Sequence, residues 1–232
     1  MLVMPKRGLY AITPDGKTAE EILEFTQAVL KGGACVVQYR AKAPPPLPPS
    51  KGGNGFVQNA FLPPLEGGGG EVSLAQQLLK LCHAYHVPLI INDNVELAEK
   101  VSADGVHLGK EDGSVSQARA RLGESAIIGV SCYNSLERAV EAEKEGATYV
   151  AFGRFFSSTS KPLAAPAQIG TLTAAKKVLT IPIVAIGGIL PENGASLLNA
   201  GADLLAVIGG LATENSQLSA QDYCRLFSRE IH

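Results

Sequence analysis

The residues of this chain that could do chemistry sit in short polar runs, each placed directly after an apolar run. Gln38-Tyr39-Arg40-Ala41-Lys42 follows ACVV, Asn92-Asp93 follows PLII, and Lys110-Glu111-Asp112 follows VHLG. Ser131 closes AIIGVS, and Ser157-Ser158-Thr159-Ser160-Lys161 comes soon after TYVAFG. Two glycine pairs, Gly187-Gly188 and Gly209-Gly210, end two further apolar runs. Arg40, Lys42 and Lys161 are cationic donors suited to phosphate. Asp93 and Asp112 are hard oxygen ligands of the kind Mg²⁺ takes, commonly one or two carboxylates completed by substrate phosphate oxygens. A Gly-Gly turn leading into a helix exposes backbone N–H groups to an anion. Together these point to two phosphorylated ligands, one held through a metal and one cradled by backbone. Taken singly, each residue has a plainer role. Asp93 or Ser131 suits a helix N-cap, a glycine pair can simply turn a corner, and Arg40 with Lys42 could form a solvated basic face. The case for chemistry is their convergence, and convergence depends on the fold.

The apolar runs number eight: 8–13, 34–40, 88–92, 105–108, 126–131, 148–153, 183–187 and 204–209. They are short, β-rich and almost continuously apolar, as strands buried on both faces of a parallel sheet are. Helical patterns lie between them: AEEILEFTQAVLK, SLAQQLLKLCHAY, VELAEKV, SVSQARARL, SLERAVEAEKE, TLTAAKKVL and PENGASLLNA, with a last helix over 218–229. Four helix-to-strand joints share a small-residue signature, GGA at 32–34, SAD at 102–104, EGA at 145–147 and AGAD at 200–203, which stops the helix and starts the strand at once. Eight such units predict a single α/β domain, a (β/α)₈ TIM barrel spanning 1–232. An open doubly wound sheet ranks second, because no G-x-G-x-x-G follows the first strand. In a barrel, every polar run named above follows the carboxyl end of a strand, where barrel active sites lie.

One stretch breaks the rhythm. Residues 44–70 hold seven Pro and seven Gly in 27 positions, so they can propagate neither a helix nor a central strand. The pattern continues on both sides, which makes the stretch a disordered insertion after the second strand rather than a linker between domains. The rest of the composition narrows the function. Lys plus Arg total 20 against 22 Asp plus Glu, a net charge of −2, which argues against a nucleic-acid or membrane-surface role. No apolar run reaches the roughly 18 residues of a membrane span, and the start lacks a signal-peptide core. Four cysteines with no C-x-x-C pair read as reduced thiols of a cytoplasmic protein. Nothing in the sequence fixes an oligomeric state, and a homo-oligomer stays open.

The longer motifs LYAITP (9–14), VQYRAK (37–42), PLIINDNVELA (88–98), ADGVHLGKED (103–112), YVAFGRFFSSTSKP (149–162), IPIVAIGGI (181–189) and GADLLAVIGGL (201–211) resemble the thiamine-phosphate synthase family. The resemblance covers nearly the whole chain outside 44–70. It implies a transferase that joins hydroxymethylpyrimidine diphosphate to thiazole monophosphate and releases pyrophosphate. It further implies that Gln38, Arg40, Lys42, Asn92, Ser131 and Lys161 contact the pyrimidine diphosphate, that Tyr39 and Ala41 are substrate-binding, and that Arg40, Ser131 and Lys161 form the catalytic group. Asp93 and Asp112 would hold Mg²⁺, and Ser158, Thr159, Ser160, Gly188, Ile208 and Gly209 would line the thiazole-phosphate site. Relatives often carry Gln where Lys110 stands, Glu where Ala41 stands, and Ser where Gly209 stands. A thiazole tautomerase on the same scaffold is the nearest alternative. It calls for a proton-shuttling His shortly after Ser131, where this chain has Cys132-Tyr133-Asn134. A non-catalytic thiazole- or thiamine-phosphate-binding barrel is the other. His83 and His86 fall in a helix, and His107 falls in a strand as a packing or loop-supporting residue.

Overall fold

A computed structural model of the chain describes residues 2–40, 69–157 and 166–228. Eight strands alternate with eight helices: β1 (Gly8–Ile12), α1 (Ala19–Lys31), β2 (Val36–Tyr39), α2 (Gly69–Ala84), β3 (Leu89–Asn92), α3 (Val95–Val101), β4 (Gly105–Leu108), α4 (Val115–Leu122), β5 (Ile127–Tyr133), α5 (Leu136–Lys144), β6 (Tyr149–Gly153), α6 (Ile169–Val178), β7 (Ile183–Ile186), α7 (Pro191–Asn199), β8 (Leu204–Val207) and α8 (Ser216–Ser228). The strands are parallel and close in chain order. Gly8 stands opposite Leu204 and Ala11 opposite Val207 in the closing pair. That pairing makes the sheet a TIM barrel and rules out the open doubly wound alternative.

Local sequence sets where the helices begin. Thr18 with Glu21, and Ser114 with Gln117, form capping boxes that satisfy the first free N–H groups of α1 and α4. Asn94 and Ser135 cap α3 and α5 through their side chains. The small-residue joints work through left-handed backbone. Gly33 has φ +100° and Gly146 +92°, and Ser102 adopts the same region at +55°. α2 starts at Gly69, ahead of Ser73, so the last two residues of the breaker-rich segment are helical. Packing accounts for this: Leu74, Ala75, Leu78 and Cys82 bury one face of α2, and a buried face outweighs the low propensity of two glycines. Residues 44–68 of that segment lie outside the described residues.

The core has two parts. Outward strand residues such as Val37, Leu89, Ile91 and Val106 pack against the helices. Inward residues, Ile12, Val36, Ile90, Ile127, Val184 and Leu204 among them, fill the barrel interior together with Tyr10 and Tyr149. Gly129 on β5 makes room for one of these rings: a Cβ there would lie 2.0 Å from the Tyr149 ring. The period of two that separates these layers also decides which polar residues reach the barrel mouth.

Candidate active site

A cavity of about 590 Å³ opens at the carboxyl ends of the strands. Gln38, Arg40, Asn92, Asp93, Asp112 and Ser131 line its β2–β5 side. Gly188, Ile208 and Gly209 line the side built by β7 and β8. Nine of the residues expected at the site from sequence thus share one space. Ala41, Lys42, Ser158, Thr159, Ser160 and Lys161 lie outside the described residues. Tyr39 departs from expectation. It is 5% exposed and belongs to the layer between barrel and helices, because strand alternation turns Gln38 inward and Tyr39 outward. Burial, with Glu71 nearby, pushes its phenol up to about 12.

On the β2–β5 side the polar groups are tied to one another. Gln38 donates its amide to Asn92 Oδ1, and Asn92 Nδ2 donates to Asp93 Oδ2 at 2.6 Å. Asp93 sits just past β3 with φ +62°, a left-handed conformation that Asp tolerates better than most residues. Its N–H donates to the His107 carbonyl at 2.8 Å. Asp112 Oδ2 accepts from the Gly109 N–H at 2.7 Å. Asp112 crowds that glycine and Asp93 lies at contact distance: a Cβ on Gly109 would lie 2.6 Å from Asp112 Oδ2 and 3.8 Å from Asp93 Oδ1. Among the described residues no cluster of three or more His, Cys, Asp or Glu could hold a metal. Two carboxylates flanking a bare backbone position still fit Mg²⁺, which commonly takes few protein ligands and leaves positions for water and phosphate. Arg40, 8% exposed, donates to Asp15 Oδ2 at 2.7 Å, while its N–H donates to Thr13 Oγ1.

The other side joins two glycine pairs to the side chains of Arg154, Ser157, Ile186 and Ile208. A Cβ on Gly187 would lie 2.2 Å from Arg154 Cβ, and one on Gly188 2.3 Å from the Ser157 carbonyl oxygen. The glycine pair therefore lets the loop after β6 press against the end of β7. A Cβ on Gly209 would meet nothing within 4 Å, so it faces open space. Tyr223 of α8 donates to the Ile189 carbonyl at 2.9 Å and braces the loop after β7.

Comparison with known proteins follows this geometry. The sequence pattern described as thiamine monophosphate synthase matches residues 9–211. The chain belongs to the thiamine monophosphate synthase family. A thiamine-phosphate synthase from Methylococcus capsulatus is 43% identical over 227 residues, covering 97% of this chain and 92% of that protein. One from Nitrosococcus oceani is 45% identical over 206 residues, covering 88% and 85%. A solved structure, a thiamine phosphate pyrophosphorylase from Pyrococcus furiosus, matches with a TM-score of 0.76 at 30% identity and 96% coverage of each chain.

Two features of this family member are missing from the sequence-based site. The first is a hydrogen-bonded row running from the barrel interior to the mouth. Tyr10 Oη lies 2.7 Å from Tyr149 Oη, Tyr149 Oη 2.9 Å from His107 Nδ1, and His107 Nε2 2.9 Å from Ser131 Oγ. Polar residues at inward positions of β1, β4 and β6 were the available signal. The second is Arg138 of α5. Its Nε donates to the Ser131 carbonyl at 2.8 Å and its Nη2 to the Gly109 carbonyl at 3.1 Å, joining the ends of β4 and β5. Cys132, next to Ser131, is fully buried, a setting that disfavours the thiolate a nucleophile needs. Burial pushes its thiol up to about 12, against a smaller lowering by Arg138.

Proposed function

We propose that the protein condenses hydroxymethylpyrimidine diphosphate with thiazole monophosphate to give thiamine phosphate and pyrophosphate. One observation carries this reading: in a thiamine monophosphate synthase family member, a single barrel mouth holds Arg40 and two carboxylates facing two glycine pairs. The bond between the pyrimidine methylene carbon and the diphosphate oxygen breaks, and its electron pair leaves on the diphosphate. The thiazole nitrogen supplies the pair for the new C–N bond, so its ring becomes a thiazolium. Atoms and charge balance without a protein nucleophile or base.

The chain's own task is to bind and orient. Arg40, Lys42 and Lys161 place positive charge against the diphosphate, where negative charge grows as the bond breaks. Asp93 and Asp112 would hold Mg²⁺, which when bound adds charge stabilisation at the departing group. Gln38 and Asn92, fixed to each other, orient the pyrimidine half. Gly188, Ile208 and Gly209, with Ser158, Thr159 and Ser160, take the thiazole phosphate. On this reading the chain is one barrel domain, and the Pro- and Gly-rich stretch 44–70 is an insertion in its sequence. Four free thiols support a reducing, cytoplasmic setting. No helix among the described residues is long and apolar enough to cross a membrane.

The test is pyrophosphate release measured with each substrate alone, with both, and with both plus excess EDTA. Release that needs both substrates and stops with EDTA is expected. Tautomerisation of the thiazole without pyrophosphate, or binding without turnover, would replace this reading with one of the two alternatives.

A further inference from the structure

Tyr10 and Tyr149 are 1% and 0% exposed, and His107 is 9% exposed. No buried side-chain N or O among the described residues lacks a partner. Tyr149 is packed between the other two rings, edge-on to Tyr10 at 5.8 Å and stacked on His107 at 5.6 Å. Burial raises the pKa of both phenols, so each keeps its proton and must place it.

Those constraints give the row a direction. An O–H without an acceptor is costlier to bury than an oxygen without a donor. Tyr149 is the hydrogen-bond partner found for the Tyr10 hydroxyl among the described residues, so Tyr10 donates to Tyr149. Tyr149 has one proton, and with Tyr10 donating to it, that proton goes to His107 Nδ1. His107 then carries its proton on Nε2 and donates to Ser131 Oγ. The Ser131 hydroxyl proton is left to point into the cavity that Ser131 lines. Reversing any bond leaves the Tyr10 or Tyr149 proton without an acceptor among the described residues, although both rings border the cavity. An imidazolium would do the same to Tyr149.

Ser131 shares the cavity with Asp93 and Asp112, and the Arg138 guanidinium bonds both its carbonyl and that of Gly109, whose N–H holds Asp112. A hydroxyl donor in that place meets the charged end of a diphosphate. We infer that Tyr10, Tyr149 and His107 are positioning residues that hold Ser131 as a one-way hydrogen-bond donor to the departing diphosphate, an inference that rests on the proposed function for its ligand. Aligned donors polarise one another, and a donor aimed where charge develops acts on the transition state more than on binding.

Two measurements test this. Nitrogen-15 NMR of the wild-type imidazoles, with His107 identified by the signal lost in His107→Gln, should show a neutral ring protonated on Nε2. A proton on Nδ1, or on both nitrogens at neutral pH, overturns the inference whether or not the enzyme is active. In pyrophosphate-release kinetics, Tyr149→Phe should lower kcat about tenfold, the scale of one hydrogen bond, and leave KM for thiazole phosphate unchanged. In a Ser131→Ala background the same change should cost nothing further. An undiminished loss there means that Tyr149 acts through packing and not through Ser131, which also overturns the inference. If the wild type releases no pyrophosphate, the synthase reading fails, and the tautomer alone decides the direction of the row.

Discussion

Gly109→Ala offers a test of the proposed metal site that replaces none of its ligand residues. Gly109 does not use left-handed backbone, so alanine brings no conformational strain, only a methyl group. That methyl would sit 2.6 Å from Asp112 Oδ2, well inside contact distance, and the atom it meets is the mobile end of a side chain. The carboxylate must therefore move by something like 1 Å and give up its 2.7 Å bond from the Gly109 N–H. A charge-assisted hydrogen bond is worth about 1.5–3 kcal/mol, and a misplacement of that size in a catalytic constellation costs on the order of 100-fold. We expect kcat/KM to fall by about that factor and the Mg²⁺ concentration for half-maximal rate to rise. Folding should respond far less than turnover, because the lost bond is partly exposed. The lower end of that range, about 1.5 kcal/mol, shifts the thermal midpoint by about 3–6 °C in a chain of this size. Steady-state pyrophosphate release across a Mg²⁺ titration, with a thermal melt alongside, reads both. Adding Asp112→Ala to Gly109→Ala should cause little further loss, since both act on one carboxylate. Unchanged turnover and unchanged Mg²⁺ dependence in Gly109→Ala would refute the placement of Asp112 as a metal ligand.

Other expectations are briefer. Lys161→Ala should lower kcat on the order of 100-fold while barely altering KM for thiazole phosphate; a pure KM effect would move Lys161 to the other subsite. Burial pushes the Cys82 and Cys132 thiols up to about 12, from 9.0 in an open chain. Above pH 9 the unfolded chain sheds protons that the folded one keeps, so stability is full below pH 9 and falls as pH rises toward 12. The limit is about 1.4 kcal/mol per pH unit for each thiol. Melts from pH 8 to 11 under reducing conditions should show the decline, and Cys82→Ala should shallow it; a flat profile contradicts the assignment. Replacing 44–68 with a short polar loop that ends at Gly69 should leave the thermal midpoint nearly unchanged and retain kcat/KM, since loop closure depends only weakly on length. Loss of folded protein in that variant would make the segment an integral layer.

The sequence disclosed the barrel because each repeated unit states its own boundaries. A capping residue such as Thr18 or Ser114, an apolar strand, and a joint such as Gly33 or Gly146 are all local signals. The same rhythm brought Asp93 and Asp112 to one mouth, since both follow strand ends. Tyr39 was misplaced because motif membership overrode alternation: it shares a run with Gln38 and Arg40 but points to the other face of β2. The Tyr10–Tyr149–His107–Ser131 row was hidden for a different reason. Its members are 139, 42 and 24 positions apart in successive pairs, and each alone reads as a strand residue filling the interior. Arg138 was hidden likewise, because nothing in a helix sequence announces that a guanidinium will reach two strand-end carbonyls.

The two sides of the mouth differ in what they ask of the sequence. From β2 to β5 the groups facing the cavity are side-chain amides, a guanidinium, carboxylates and a hydroxyl, each held by a named partner. Changing one of these types removes the charge or donor itself. From β6 to β8 the wall combines the glycine pairs with Arg154, Ser157 and apolar side chains such as Ile186 and Ile208. Its shape depends on how closely Gly187 and Gly188 approach the loop that starts at Arg154. At those two glycines a substitution matters because it blocks that approach. Gly209, which stands where relatives often carry Ser, has open space where a Cβ would lie, so glycine gives up a hydroxyl there while keeping its main-chain N–H. Adding the hydroxyl back with Gly209→Ser should therefore tighten phosphate binding at most by the worth of one hydrogen bond, about 1 kcal/mol. Substitutions that fill the space at Gly188 must push the Ser157 carbonyl aside, and they should disable the thiazole side without touching the carboxylates across the cavity.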